Sequence, residues 1–217
     1  MKKIIIVTDS TGNPRFFNLN EKIELQDTFP YLLKKKFKDD IIWQLSLGNY
    51  PTDVLLNQII AYFSEWSPDI VIVSSGVNDS RPEPLSDNNK YLLLNSFILS
   101  FFFKRLIYSK VFIKFFAKKN KDITKFEKSI KKFINIFNSA KIYWVPIKVH
   151  SKYEKIRPGT IKNNIEFNKI LKKHLKNNIL RVDNLCDDDY FIRDGLHISK
   201  KGHQLIFEEI IKKLNGE

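Results

Sequence analysis

The sequence predicts a single α/β domain built on a central parallel sheet. Three short segments rich in β-branched residues are typical of buried strands: Ile4–Val7, Ile41–Leu47 and Ile70–Ser75. Segments with helical spacing of apolar residues lie between them, and this alternation is typical of a parallel sheet covered by helices. The chain has 217 residues, a length that suits one domain with a substantial core.

The other elements continue this alternation along the chain. Thr28 is a candidate N-cap for the first helix, with Pro30 tolerated in its first turn, and Ser199 is a candidate N-cap for the last helix. The predicted helices are Thr28–Phe37, Thr52–Trp66, Thr124–Phe137, Asn163–Lys176 and Ser199–Leu214, and the further predicted strands are Lys141–Pro146 and Ile179–Asp183.

Composition indicates a globular protein of a reducing compartment. The chain is 43% hydrophobic and 28% charged, and its single cysteine, Cys186, excludes an internal disulfide. No secretory signal peptide is expected, because the apolar run Ile4–Val7 is short and leads directly into Asp9. These features predict a cytoplasmic location.

The net charge of +13 is unevenly distributed. Between Phe101 and Arg181 the sequence has 22 lysines and arginines against four acidic residues. This excess favours an anionic neighbour, which could be a membrane surface, a polyanionic glycan or a nucleic acid. A solvated lysine-rich surface is the simpler alternative. Nucleic-acid binding is the least favoured of these, because no nucleic-acid motif accompanies the charge.

An apolar and aromatic segment, Tyr91–Lys118, interrupts the pattern and predicts a helical insertion at about 85–121. Its longest charge-free run, Tyr91–Phe103, is shorter than the roughly 20 residues that cross a bilayer. Lysines then recur every four residues from Lys110 to Lys118, opposite phenylalanines, as in a helix that lies in a membrane interface. The protein would then be peripheral at the inner membrane. A lid over the active site or a contact between subunits of a homo-oligomer would show the same pattern.

Polar residues follow three of the predicted strands and precede the last helix. Asp9-Ser10, Gly48-Asn49 and Gly76–Asp79 follow strands, and Asp194–His197 lies before the final helix. Ligands of open α/β sheets bind just beyond the carboxyl ends of the strands. Ester hydrolysis needs a hydroxyl nucleophile, a base, a group that orients the base, and donors for the oxyanion. The residue types in these four blocks can supply all of them.

Each of these roles has a candidate. Ser10 is the expected nucleophile, His197 the base that takes its proton, and Asp194 the group that fixes the imidazole tautomer. The expected oxyanion donors are the backbone N–H groups of Ser10 and Gly48 and the side-chain amide of Asn78.

Two further residues, Asp9 and Arg81, are assigned to the substrate-binding side of the site. Arg81 could hold an anionic group of the substrate, and an ion pair with Glu83 or Asp79 is the alternative. Taken alone, Asp9 and the serine after it would also suit the cap of a turn. The other histidines are assigned to the surface (His150 and His174) or to the surface or packing of the last helix (His203).

These four blocks resemble those of the SGNH (GDSL-type) hydrolases, in the family's order and with similar spacing over nearly the whole chain. The most specific part is Gly76–Asp79 after a buried strand, followed by Asp194–His197 near the C-terminus. The resemblance implies a three-layer α/β/α flavodoxin-like fold, a triad of Ser10, Asp194 and His197, and neither metal nor cofactor. Gly48 and Asn78 would be the oxyanion donors by matching position.

Two departures from the family pattern bear on the substrate. Thr8 stands where the family's Gly-Asp-Ser has glycine, which restricts the turn into Ser10. The segment from Arg81 to Lys121 is an atypical insertion beside the site. Neither departure removes a catalytic group.

The expected function is that of a serine esterase that removes an acyl group, preferably acetyl, from a carbohydrate or similar small ester. A bacterial surface-polysaccharide precursor is a reasonable substrate by the same resemblance. The same residues would serve an acyltransferase, in which a sugar hydroxyl takes the place of water. A non-enzymatic, basic, membrane-proximal binding module is the remaining alternative. Its weakness is that a pure binder has no reason to retain the catalytic residue types.

Overall fold

The computed structural model describes residues 1–18, 21–83, 109–116, 118–119, 122–185 and 187–216. The strands in these ranges are β1 (Lys3–Thr8), β2 (Arg15–Asn18), β3 (Glu21–Ile23), β4 (Ile41–Ser46), β5 (Ile70–Ser74), β6 (Pro82–Glu83), β7 (Lys118–Lys119) and β8 (Lys141–Trp144). The α-helices are α1 (Phe29–Lys36), α2 (Thr52–Phe63), α3 (Val77–Ser80), α4 (Lys110–Phe116), α5 (Ile123–Ile136), α6 (Ser151–Ile156), α7 (Thr160–Leu175) and α8 (Lys200–Asn215).

Four of the strands form one parallel sheet in the order β4-β1-β5-β8. The chain leaves β1 to one side for β4 and then crosses to the other side for β5. The switch point of the sheet therefore lies between the carboxyl ends of β1 and β5, which is where open α/β sheets bind ligands.

Helices cover both faces of the sheet, because the side chains of each buried strand alternate between two apolar clusters. Ile5 and Val7 pack with α2, α5 and α7 on one face. Ile4 and Ile6 pack with α1 and α8 on the other face. The continuous apolar run of β1 is what a strand buried on both faces requires. The predicted three-layer α/β/α arrangement is confirmed.

The predicted strand Ile179–Asp183 is not formed. Ile179 makes a single parallel bridge to Trp144, and the Leu180 N–H donates to the Trp144 carbonyl at 3.0 Å. Beyond that point the Lys148 ammonium donates to the carbonyls of Val182 and Asp183, both at 2.8 Å. A side chain thus satisfies backbone acceptors that a neighbouring strand would have used, so the ladder ends after one pair.

Most of the predicted insertion at about 85–121 lies outside the described residues, so the proposed membrane, lid or subunit contact of Tyr91–Lys118 stays a prediction. Of this segment the structure describes α4, in which Val111 and Phe115 are exposed, and β7, which pairs antiparallel with β6. Among the described helices, none combines the length and apolar character needed to cross a bilayer.

Candidate active site

The nucleophile candidate lies on a tight turn that directly follows β1. The Asp9 N–H donates to the Ser74 carbonyl at 2.9 Å, which keeps the turn against β5. The Asp9 carboxylate then accepts from the Thr11 N–H at 2.9 Å and from the Thr11 hydroxyl at 2.7 Å, capping the 3₁₀ turn Ser10–Gly12. Burial raises the pKa of Asp9, against the effect of the Thr11 hydrogen bonds.

The sequence assigns Asp9 to the substrate-binding side of the site, and in the structure Asp9 is buried. The residue is 1% exposed, and its carboxylate contacts the N–H and the hydroxyl of Thr11. This placement favours a role in shaping the turn that carries Ser10 over contact with a substrate. The simpler expectation for this pair, a turn cap, is thus present in the structure.

Ser10, His197 and Asp194 lie in one hydrogen-bonded line. The Ser10 hydroxyl is 3.1 Å from His197 Nε2, and His197 Nδ1 is 2.6 Å from Asp194 Oδ2. A neutral imidazole that donates from Nδ1 to the carboxylate leaves Nε2 as the acceptor for the serine proton. The three groups come from opposite ends of the chain and meet at the switch point of the sheet.

The Asp194 carboxylate is also held by the loop that carries it. Its Oδ1 accepts the backbone N–H groups of Leu196 at 2.8 Å and His197 at 2.9 Å. Burial acts to raise the pKa of Asp194, but the hydrogen bonds from the His197 ring and from these two N–H groups outweigh it and lower the pKa. The group that would orient the imidazole therefore stays ionised over the neutral pH range.

His150 is buried, although the sequence assigned it to the surface. Its backbone N–H donates to the Gly195 carbonyl at 2.8 Å, so it anchors the loop between Asp194 and His197. Its ring caps α6 by accepting the Lys152 N–H at Nδ1, and Nε2 lies 2.6 Å from the Asp188 carboxylate. His150 is thus a support of the loop that sequence reasoning missed.

Of the predicted oxyanion donors, Gly48 lies next to Ser10, and Asn78 contacts the loop that follows Gly48. A Cβ on Gly48 would be 3.5 Å from the Ser10 Cβ, which places Gly48 directly beside Ser10. The side-chain amide of Asn78 donates to the Tyr50 carbonyl at 3.2 Å and so contacts the same loop. Asn49 turns the chain in the left-handed region, with φ of 65°, a conformation that asparagine tolerates better than most residues.

Gly76 sets the direction in which the chain leaves β5 toward Asn78. Its φ is +130°, and a Cβ there would lie 2.3 Å from Ile147 Cδ1. Only glycine fits this position without displacing the core. Asn78 and Asp79 then follow in α3.

Asp79 joins α3 to the start of α2. Its carboxyl group accepts the Thr52 N–H at 2.9 Å and the Thr52 hydroxyl at 2.6 Å, satisfying a donor that the first turn of a helix leaves unpaired. The side chain is 1% exposed, and burial raises its pKa from 3.8 to about 7. Thr52 is a second supporting residue that the sequence did not indicate, since only the fold brings it to Asp79.

Arg81 makes the predicted ion pair with Glu83, with Nε 2.6 Å from Oε1. Its Nη2 also donates to the Asn49 side chain at 3.3 Å. The ion-pair interpretation is therefore present in the structure, and the guanidinium also contacts the loop that carries Gly48.

No family model matches the chain, and no curated protein is detectably similar to it in sequence. Solved structures do share its fold. The lipase/acylhydrolase from Enterococcus faecalis aligns over 100% of this chain and 96% of its own, with a TM-score of 0.65 at 17% identity. A member of the lipolytic protein G-D-S-L family from Veillonella parvula aligns over 96% of both chains, with a TM-score of 0.60 at 11% identity. A carbohydrate acetylesterase family member from Sinorhizobium meliloti aligns over 100% of both, with a TM-score of 0.59 at 12% identity.

These alignments run over whole chains. The chain therefore has the fold of the SGNH (GDSL-type) hydrolases, as the resemblance of its four blocks implied. At such low identities the likeness establishes the fold alone.

Proposed function

We propose that this protein is a serine esterase that uses Ser10, His197 and Asp194 as its triad. The observation that carries the proposal is the line of hydrogen bonds from the Ser10 hydroxyl through His197 to Asp194, at 3.1 Å and 2.6 Å. A serine that merely capped a turn would need neither partner. The fold shared with acylhydrolases supports the same reaction class.

In the proposed reaction the Ser10 oxygen attacks the ester carbonyl while its proton passes to His197 Nε2. The imidazolium that forms is stabilised by Asp194, and the negative charge on the carbonyl oxygen is met by the N–H groups of Ser10 and Gly48 and the Asn78 amide. Collapse returns the proton to the leaving alcohol and leaves an acyl-serine. Water, deprotonated by His197, then releases the acid.

We further propose a short acyl group, preferably acetyl, on a carbohydrate or similar small molecule. Two observations support this choice. The pattern of the four blocks resembles hydrolases that act on bacterial surface polysaccharides, and one of the proteins with this fold is a carbohydrate acetylesterase family member. A panel of acyl esters of one alcohol, from two to eight carbons, should show the highest kcat/KM for the acetyl ester.

The proposal is tested by labelling with a fluorophosphonate, in which the serine oxygen forms a bond to phosphorus and fluoride leaves. Intact mass and peptide mapping should show one adduct, on Ser10. The exposed Ser64 at the end of α2 is the internal control, because it lacks the partners of Ser10 and should remain unmodified. His197→Ala should abolish the adduct, and turnover of short esters should fall by on the order of 10³- to 10⁶-fold in Ser10→Ala and His197→Ala. Equal labelling or equal turnover in the wild type and these variants would contradict the triad.

A further inference from the structure

Arg81 lies at the edge of the proposed oxyanion site. It follows α3 directly, three residues after Asn78, and its Nη2 donates to the Asn49 side chain at 3.3 Å. Asn49 is the neighbour of Gly48 in the chain. The guanidinium is therefore fixed close to the groups that would bind the carbonyl oxygen of the ester.

The side chains of Glu83 and Tyr153 hold the guanidinium in place. Glu83, whose side chain is 3% exposed, lies 2.6 Å from the Nε of Arg81. Tyr153 also hydrogen-bonds the guanidinium, and burial, which acts to lower the pKa of Arg81, is outweighed by Glu83 and Tyr153, which raise it. Arg81 thus carries a permanent charge in a fixed orientation, with 18% of its side chain exposed.

Donors remain on this guanidinium for a ligand. Arginine has five N–H donors, and in the described part of the chain three residues engage them: Glu83, Asn49 and Tyr153. Glu83 is also shared, since its Oε2 lies 4.0 Å from Nη1 of Arg157. Arg81 is therefore not the only guanidinium group near this carboxylate.

We propose that Arg81 binds an anionic group that the substrate carries near its ester, and this inference rests on the proposed esterase function. A fixed guanidinium is suited to a carboxylate or a phosphate, which it can grip with two parallel N–H donors. The substrate class is then an ester of an acidic molecule, such as an acylated sugar acid or an acylated sugar phosphate. Neutral esters would lack this contact.

The test measures binding, so it does not depend on turnover. The Ser10→Ala protein is titrated by calorimetry with three acetate esters of matched size: 4-nitrophenyl acetate, the same ester with a ring carboxylate, and the same ester with a ring phosphate. At least one charged ester should bind more tightly than the neutral one. Arg81→Gln in the same background should lower the ratio of the affinities for the charged and the neutral ester roughly tenfold. This is the effect typical of one charge-assisted hydrogen bond. Arg81→Lys should retain part of it.

Lys35→Gln is the matched control, because it removes the same charge from an exposed position near the end of α1, at the opposite edge of the sheet. Its three affinities should equal those of the parent. The double variant Arg81→Gln/Glu83→Gln removes both charges of the pair and replaces the single variant if loss of one guanidinium beside the buried Glu83 unfolds the protein. An unchanged preference in these variants, no preference in the parent, or no binding of any ester would overturn the inference. Labelling of wild-type Ser10 reports separately on the esterase proposal.

Discussion

Replacing Asp79 by asparagine should make the protein more stable at alkaline pH and remove a pH dependence that the wild type has. The carboxyl group of Asp79 is 1% exposed, and Thr52 donates to it from both its N–H and its hydroxyl. Asparagine keeps an oxygen that can accept both hydrogen bonds. It also stays neutral, so burying it carries no charge-desolvation term.

The magnitude follows from the pKa of Asp79, which burial raises from 3.8 to about 7. Between these values the folded state keeps a proton that the unfolded state has released, so stability falls as pH rises through this window. Once the carboxyl is ionised in both states, the loss amounts to about 4 kcal/mol at about 1.4 kcal/mol per pKa unit. Between pH 5 and pH 8, the free energy of unfolding of the wild type should fall by roughly 2.5 kcal/mol through this group. Asp79→Asn should not show this fall.

Urea unfolding followed by circular dichroism at pH 5, 6, 7 and 8 measures this difference as the gap between the two free energies of unfolding. The gap should widen steadily with pH. Asp39→Asn, which removes an exposed carboxyl group from the loop after α1, is the matched control and should follow the wild type. A constant gap between Asp79→Asn and the wild type across this range would refute the reasoning, because it would mean that burial does not keep Asp79 protonated.

Three further predictions concern the site and its surroundings. Asp194→Asn should lower kcat by roughly 10³- to 10⁴-fold with little change in fold, since an amide cannot hold the His197 tautomer; a drop below tenfold in a steady-state ester assay would contradict the triad. Asn78→Asp exchanges a donor for an acceptor and should lower kcat/KM by about 10²- to 10³-fold, whereas activity near that of the wild type would remove Asn78 from the oxyanion site. Burial lowers the pKa of His203 from 6.5 to about 4, so stability should fall as pH drops through this window, by about 3 kcal/mol in total. His203→Gln, which keeps an acceptor for the Phe29 N–H, should lose this acid sensitivity in urea titrations at pH 4 to 7, and an unchanged slope would contradict the assignment.

The sheet could be predicted from the sequence because a strand buried on both faces needs an uninterrupted apolar run. Ile4–Val7 and the run that begins at Ile70 have no other plausible environment in a chain of this composition. The site followed from the sheet, since parallel strands bring their carboxyl ends to one edge. Thus the sequence alone predicts that Ser10 and Asn78, 68 positions apart in the chain, belong to one site.

The remaining features depend on contacts that local pattern does not encode. Ile179–Asp183 has the composition of a strand, but the neighbouring strand β8 ends at Trp144. The Lys148 ammonium donates to two carbonyls of the 179–183 segment instead. The hairpin of β2 and β3 was not predicted, because its strands are only four and three residues long and carry a weak alternation. Short elements of this kind form through their neighbours in space.

His150 illustrates the same limit at the site. It lies in a basic stretch, and sequence context alone placed it at the surface. Its burial comes from the Gly195 carbonyl and the Asp188 carboxylate, which are brought to it by the loop before α8. A polar residue preceding a helix is the one signal that could have identified it, because the ring caps α6 at Lys152.

Thr8 stands where the family pattern has glycine, and the packing at the end of β1 explains how its side chain is accommodated. The Thr8 side chain is fully buried at the end of β1, and its hydroxyl lies 2.7 Å from that of Ser46. A Cβ on Gly12 would lie 2.5 Å from this hydroxyl oxygen, so the absence of a side chain at position 12 is what makes room for threonine at position 8. Gly12, two residues after Ser10, thus accommodates the side chain at position 8, two residues before it. The turn is therefore not distorted by Thr8, and the line from Ser10 to His197 keeps its hydrogen-bonding distance of 3.1 Å.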